Sequence, residues 1–301
     1  MGNSTAALPQ PDPSQRLRQR TKLRIAILLL MLSGVSLYAS AIVTRHKLRA
    51  QWRETLQVAV ILLGPGGVGR EKLTMVKERL PKLDAMMARE FTRYHPGQSF
   101  APVHFELVGA VGVEKPPPMP PDSGTYVDRA LHAWRLSRYL ADVNKRGQLK
   151  LGGYADRIYV MVEPARNTQA RFVEGVGAKD GDVGLVSTQL DESTLDLTLL
   201  AVGHEFLHCV GATDKYDANG HTDMSVDLPE PDRVPIYPQR FAEIMVGEIT
   251  TGPGDGRLPD TLDQVAVGPL TAHEVGWLKD GQPAPAVASR QLDGARQRAS
   301  Q

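Results

Sequence analysis

Residues 203–217 read GHEFLHCVGATDKYD, and their types and spacing are those that hold a metal ion. His204 and His208 are four apart, so on a helix their imidazoles leave the same face one turn from each other. Two imidazoles fixed in this way form a rigid base for one Zn2+. Glu205, beside the first, can reach a water that the ion polarises and take its proton. Gly211 can adopt the left-handed conformation that ends a helix and turns the chain back, and Asp214 follows ten residues after His204. The stretch STLDLTLLAVGHEFLHCVG (193–211) is apolar on most sides, so its helix should be deeply buried. Two imidazoles and a carboxylate in such a place need partners. Ser193 and Asp196 stand at capping-box spacing at its start. Cys209, the single cysteine, excludes an intrachain disulfide and reads as a small packed residue.

The elements that must position this helix come before it. LQVAVILLG (56–64) is a nearly continuous apolar run, the mark of a strand buried on both faces. A helical pattern over 70–91 follows, with Pro81 expected to kink or divide it. Strands are expected at 102–113, 156–164 and 182–190, with a second helix over 125–147 ending at Gly147 as a left-handed cap. The proline-rich stretch 114–124 must be a surface loop. This order predicts an α/β unit built on one sheet, with no second domain. GPGGVG (64–69) matches a dinucleotide-binding fingerprint between strand and helix. Pro65, however, offers no N–H to a pyrophosphate, so a tight turn is the expected role.

The formal net charge of +1 hides an asymmetry. Residues 1–53 hold nine of the 35 Lys/Arg and one of the 34 Asp/Glu, leaving 26 against 33 in residues 54–301, a net of −7. An acidic body argues against a nucleic-acid partner, which requires a basic face. The basic residues flank IAILLLMLSGVSLYASAIV (25–43), nineteen residues without a charge. At helical rise that length just covers a bilayer core of about 30 Å, so membrane attachment through 25–43 is expected, with the N-terminus in the cytoplasm. Ala39-Ser40-Ala41 also fits a signal-peptide cleavage site. Either way the remainder is exported, into the periplasm if the cell is bacterial. The expected organisation is a disordered tail over 1–22, a transmembrane signal anchor over 23–44, a catalytic domain over 54–279 and a disordered tail over 280–301.

The pattern H-E-x-x-H-x-x-G-x-x-D of residues 204–214 resembles the metzincin-type zinc peptidases, in the variant whose third ligand is aspartate. The resemblance extends over residues 56–278 through the order of strands and helices. It implies a zincin catalytic domain with a mixed sheet and an active-site helix, hydrolysing peptide bonds in a peptide or protein substrate. It further implies His204, His208 and Asp214 as zinc ligands, Glu205 as general base, and Met245 as the methionine of a turn beneath the ligands. Departures leave alternatives. Asp217 is a second candidate ligand, because GATDKYD resembles the ligand-bearing tail of other exported zinc peptidases. Glu274 would be the third ligand in a gluzincin-like site, and otherwise reads as a solvated carboxylate. Tyr216 and His221 are candidates for stabilising an oxyanion, and DANGHTD (217–223) for holding Ca2+. A zinc-stabilised scaffold without turnover is the competing function; an intact Glu205 counts against it.

Overall fold

The computed structural model describes residues 22–37, 40, 51–98, 100–119, 124–164, 173–177, 181–215 and 227–287. The chain divides into two units, Met1–Leu48 and Arg49–Gln301. In the first, the described residues 22–37 and 40 are helical (α1) and expose apolar side chains all round, among them Ile25, Leu28, Leu30 and Val35. Among the described residues no helix is long and apolar enough to cross a membrane. The spanning helix expected over 25–43 is therefore not seen there; residues 38, 39 and 41–43 lie outside the described set, as does most of both expected tails.

In the second unit β1 (Leu56–Pro65) is an inner strand of a five-stranded sheet of order β2-β1-β3-β5-β4. It pairs in parallel with β2 (Val103–Val113) and β3 (Asp156–Val162), and β3 pairs in parallel with β5 (Val183–Thr188). The continuous apolar run of β1 has the expected meaning. Val58, Val60 and Leu62 face one core, with helices α2 (Arg70–Tyr94) and α4 (Leu195–Cys209). Ala59, Ile61 and Leu63 face another, with α3 (Tyr126–Arg146). Trp52 closes the first core against Phe91, Phe206 and Trp277 and donates its indole N–H to Val275 O at 2.6 Å.

Two strand regions escaped the sequence pattern. Strand β4 (Val173–Gly177) runs antiparallel to β5 and forms an edge of the main sheet. A second, four-stranded sheet of order β8-β7-β6-β9 is assembled from β6 (Ala242–Glu243), β7 (Ile249–Gly252), β8 (Asp255–Arg257) and β9 (Val265–Ala266). The expectation of one sheet is corrected accordingly. Strands of two to four residues are too short to show an alternation, and only pairing with distant segments defines them. The last helix of the described residues is α5 (Pro269–Glu274).

Three details also differ from expectation. Helix α2 runs through Pro81 undivided, because its buried side, including Val76, Leu80, Leu83 and Met87, is held against the sheet and α4. Gly147 is right-handed (φ −75°), and the positive φ falls on Gln148. The glycine is needed for space, since a Cβ there would lie 2.5 Å from Val111 Cγ2. Asp196 makes no capping box; it pairs with Arg79 at 2.5 Å, while Asp191 Oδ1 accepts the N–H groups of Ser193 and Thr194. The GPGGVG turn is a tight one: Gly66 and Gly67 have φ of 68° and 109°, and Gly67 N–H is used on Gly64 O at 3.0 Å.

Candidate metal centre

Helix α4 lies in the first core with nearly every residue buried, and it carries His204 and His208 on one face. Each imidazole is oriented by a backbone carbonyl. His204 Nδ1 lies 3.1 Å from Ile244 O, and His208 Nδ1 lies 3.0 Å from Ala212 O. A carbonyl can only accept, so both rings carry their proton on Nδ1 and, when neutral, present a lone pair at Nε2. This is the arrangement by which metal-binding histidines are usually held.

Three lone-pair atoms converge here. His204 Nε2 and His208 Nε2 are 3.0 Å apart, and Asp214 Oδ1 is 3.1 Å from each. Three lone-pair-bearing atoms at this separation repel one another unless a proton or a cation lies among them. A tetrahedral Zn2+ with bonds of about 2.1 Å would separate its ligands by about 3.4 Å, so this triangle needs to open by only a few tenths of an ångström. Asp214 reaches the imidazoles because Gly211, at φ +112°, turns the chain, with Gly211 N–H on His208 O and Ala212 N–H on Leu207 O. The donor set and its geometry fit zinc.

Glu205 projects beside the triangle. One of its oxygens and one nitrogen of each imidazole lie within 4.8 Å of one another, a looser contact than that of Asp214. It is 1% exposed, and its Oε2 is buried without a hydrogen-bond partner. Burial pushes its pKa up to about 7, although the His204 and His208 rings favour its charged form. An orphaned, buried carboxylate oxygen costs stability and is found where a ligand or a reacting group belongs. Burial also disfavours charge on His208, but its bonds to Asp214 and Ala212 and the nearby carboxylates outweigh this and hold it above the ordinary imidazole range. For Asp214, burial is outweighed by the bonds and charges of both imidazoles, which hold the carboxyl far below its usual range.

The second sheet explains the position of Ile244 O. Ile244 N–H bonds to Ala266 O of β9, and β9 leads to Val267, which α2 grips at three points. Glu90 accepts Val267 N–H at 3.0 Å, while Arg93 and Tyr94 donate to Val267 O at 2.5 and 2.7 Å. Met245 is wholly buried in the first core, next to Ile244, and its carbonyl accepts Lys215 N–H at 3.4 Å. The segment expected to lie beneath the ligands is thus tied to His204 on one side and to the Asp214 loop on the other. Glu243 fixes the same segment by accepting Met245 N–H at 2.6 Å and Val246 N–H at 3.1 Å.

Glu274 is not a solvated carboxylate, and its oxygens are engaged away from the two imidazoles. It accepts from Thr213 and Lys215, the neighbours of Asp214, with its side chain 19% exposed. Asp217, Tyr216, His221 and the rest of 217–223 lie outside the described residues. Sequence reasoning missed the Glu274–Lys215 pair, the buried carboxyls of Glu243 and Asp227, and Gly184, where a Cβ would meet Glu205 Cβ at 2.7 Å. Only Gly184 left a local signal, a glycine inside a strand pattern, which marks a close approach.

No family model matches the chain, and no curated protein matches it. Among solved structures it is similar to an archaemetzincin from Methanopyrus kandleri, at 12% identity and a TM-score of 0.31, over 82% of this chain and 97% of that one. It is also similar to part of a chaperone–substrate complex, at 13% identity and a TM-score of 0.21, over 51% of this chain and 26% of that one. At these scores neither likeness establishes a shared fold, and the site stands on its own geometry.

Proposed function

We propose that the chain is an exported zinc-dependent peptidase in which His204, His208 and Asp214 hold the metal and Glu205 is the general base. The observation that carries this reading is the triangle of Nε2, Nε2 and Oδ1 with the unpartnered Glu205 oxygen beside it. When bound, zinc supplies a Lewis acid that polarises a carbonyl and acidifies a water. Glu205 takes that water's proton on its carboxylate and passes it to the departing amine. Burial raises the proton affinity of this carboxyl in the metal-free chain, and a bound cation would lower it again. The backbone carbonyls of Ile244 and Ala212 keep the imidazole protons on Nδ1 and so keep Nε2 available.

An extended peptide is the substrate class that fits. Strand β4 is an edge of the main sheet and lies against α4, so its outer backbone groups can pair with a further strand next to the site. A pure scaffold would have no use for a buried, unpartnered carboxylate beside its ligands. The apolar, basic-flanked segment 25–43 supports export of the catalytic unit. The test is digestion of an unbiased peptide library by the full chain. Cleavage should be abolished by a chelator, restored by zinc, and lowered about a hundred-fold or more in zinc-loaded Glu205→Gln. Chelator-insensitive cleavage, or none in the zinc-loaded protein, would overturn the reading.

A further inference from the structure

We propose that Glu274 is a positioning residue for Asp214, setting where the third ligand stands and therefore how tightly the site holds its metal. The inference rests on the zinc reading above. Asp214 sits in a segment, residues 212–214, that belongs to no helix or strand; beyond the backbone bonds of Ala212 to Leu207 O and Lys215 to Met245 O, side-chain contacts hold its backbone. Those contacts bracket it. Glu274 Oε2 accepts Thr213 N–H at 3.0 Å and a proton of Lys215 Nζ at 2.6 Å, and Glu274 Oε1 accepts the Thr213 hydroxyl at 2.5 Å. One carboxylate, 60 residues further along the chain, thus ties down the residues on both sides of Asp214.

The Lys215 ammonium completes the clamp. It is 4% exposed, and its three N–H groups have three acceptors: Glu274 Oε2, Thr213 O at 3.1 Å and Thr213 Oγ1 at 3.0 Å. The Thr213 hydroxyl donates to Glu274 while accepting from Lys215, so the three side chains close a ring of mutually polarised bonds. Because Glu274 neutralises this ammonium, Asp214 is left to the two imidazoles, toward which its Oδ1 points at 3.1 Å. Residues that orient ligands without touching the metal typically change its affinity about 10- to 100-fold when replaced.

The test is zinc affinity of the full chain by chelator competition, together with the visible absorption of the Co2+-substituted protein. Glu274→Ala should weaken zinc about 10- to 100-fold and shift or weaken the cobalt bands, with Lys215→Met changing both in the same direction by less. A role confined to stability would lower the melting temperature and leave the affinity of the folded protein and the cobalt spectrum untouched. Should Glu274→Ala fail to fold, Glu274→Gln preserves the shape while removing the charge, and the same loss of affinity is expected. Wild-type affinity and spectrum in a folded Glu274 variant would overturn the proposal while leaving the zinc reading intact. Failure of the wild-type chain to bind zinc would overturn both.

Discussion

Gly184 on β5 and Glu205 on α4 adjoin so closely that a Cβ on the glycine would lie 2.7 Å from Glu205 Cβ. It would also lie 2.8 Å from Ile158 Cδ1. The isoleucine tip can move, but the Glu205 stem is fixed by its helix. Gly184→Ala should therefore overpack the sheet–helix contact, lowering stability by about 1–3 kcal/mol. It should also displace the carboxylate, so that kcat falls more than zinc content does. Denaturant unfolding and metal analysis of the variant check both parts. Unchanged kcat with unchanged stability would show that the contact is slack.

Glu205 stands outside the ligand triangle, which separates metal binding from turnover. Glu205→Gln should keep about one zinc per chain while lowering kcat by about a hundred- to ten-thousand-fold, the range for losing a general base. Metal analysis and peptide hydrolysis on the same preparation decide it. Loss of metal in parallel with activity would make Glu205 a ligand.

Glu243 links the second sheet to the site and titrates in an unusual range. Burial, and next the charge of Asp227, push it up to about 8, and burial likewise raises Asp227. An unfolded glutamate titrates near about 4.3. The folded chain therefore binds this proton more tightly, and the stability it contributes is present below the unfolded value and is lost as pH rises toward 8. In the metal-free chain, the melting temperature of the wild type should fall relative to Glu243→Gln between pH 5 and pH 8. Parallel curves would show that Glu243 does not carry this dependence.

The parts of this molecule that were legible in the sequence are those whose cause is local. The alternating faces of β1 and the apolar surround of α4 follow from runs of residues, and the paired imidazoles follow from the helical repeat. Asp214 was legible because Gly211 marks the turn that brings it back. The second sheet was not, since two residues such as Ala242–Glu243 carry no period and acquire their conformation from Ile249 and Val265. Glu274 was misjudged for the same reason. Nothing near it in sequence indicates that Thr213 and Lys215 are its partners, and an acid on a short helix reads as a surface group until tertiary packing places it.

The central claim is that Asp214 completes a three-ligand site, and zinc affinity of Asp214→Ala tests it most directly. Removing a ligand should cost more than removing a residue that merely orients one, hence more than about 100-fold in affinity. Asp214→His should recover part of the loss, because the Gly211 turn is unchanged and imidazole binds zinc at a similar bond length. The measurement is chelator-competition titration of the full-length wild type and both variants, each shown to be folded. The account predicts tight, stoichiometric zinc in the wild type, a collapse in Asp214→Ala and a partial return in Asp214→His. Wild-type affinity in Asp214→Ala would contradict it.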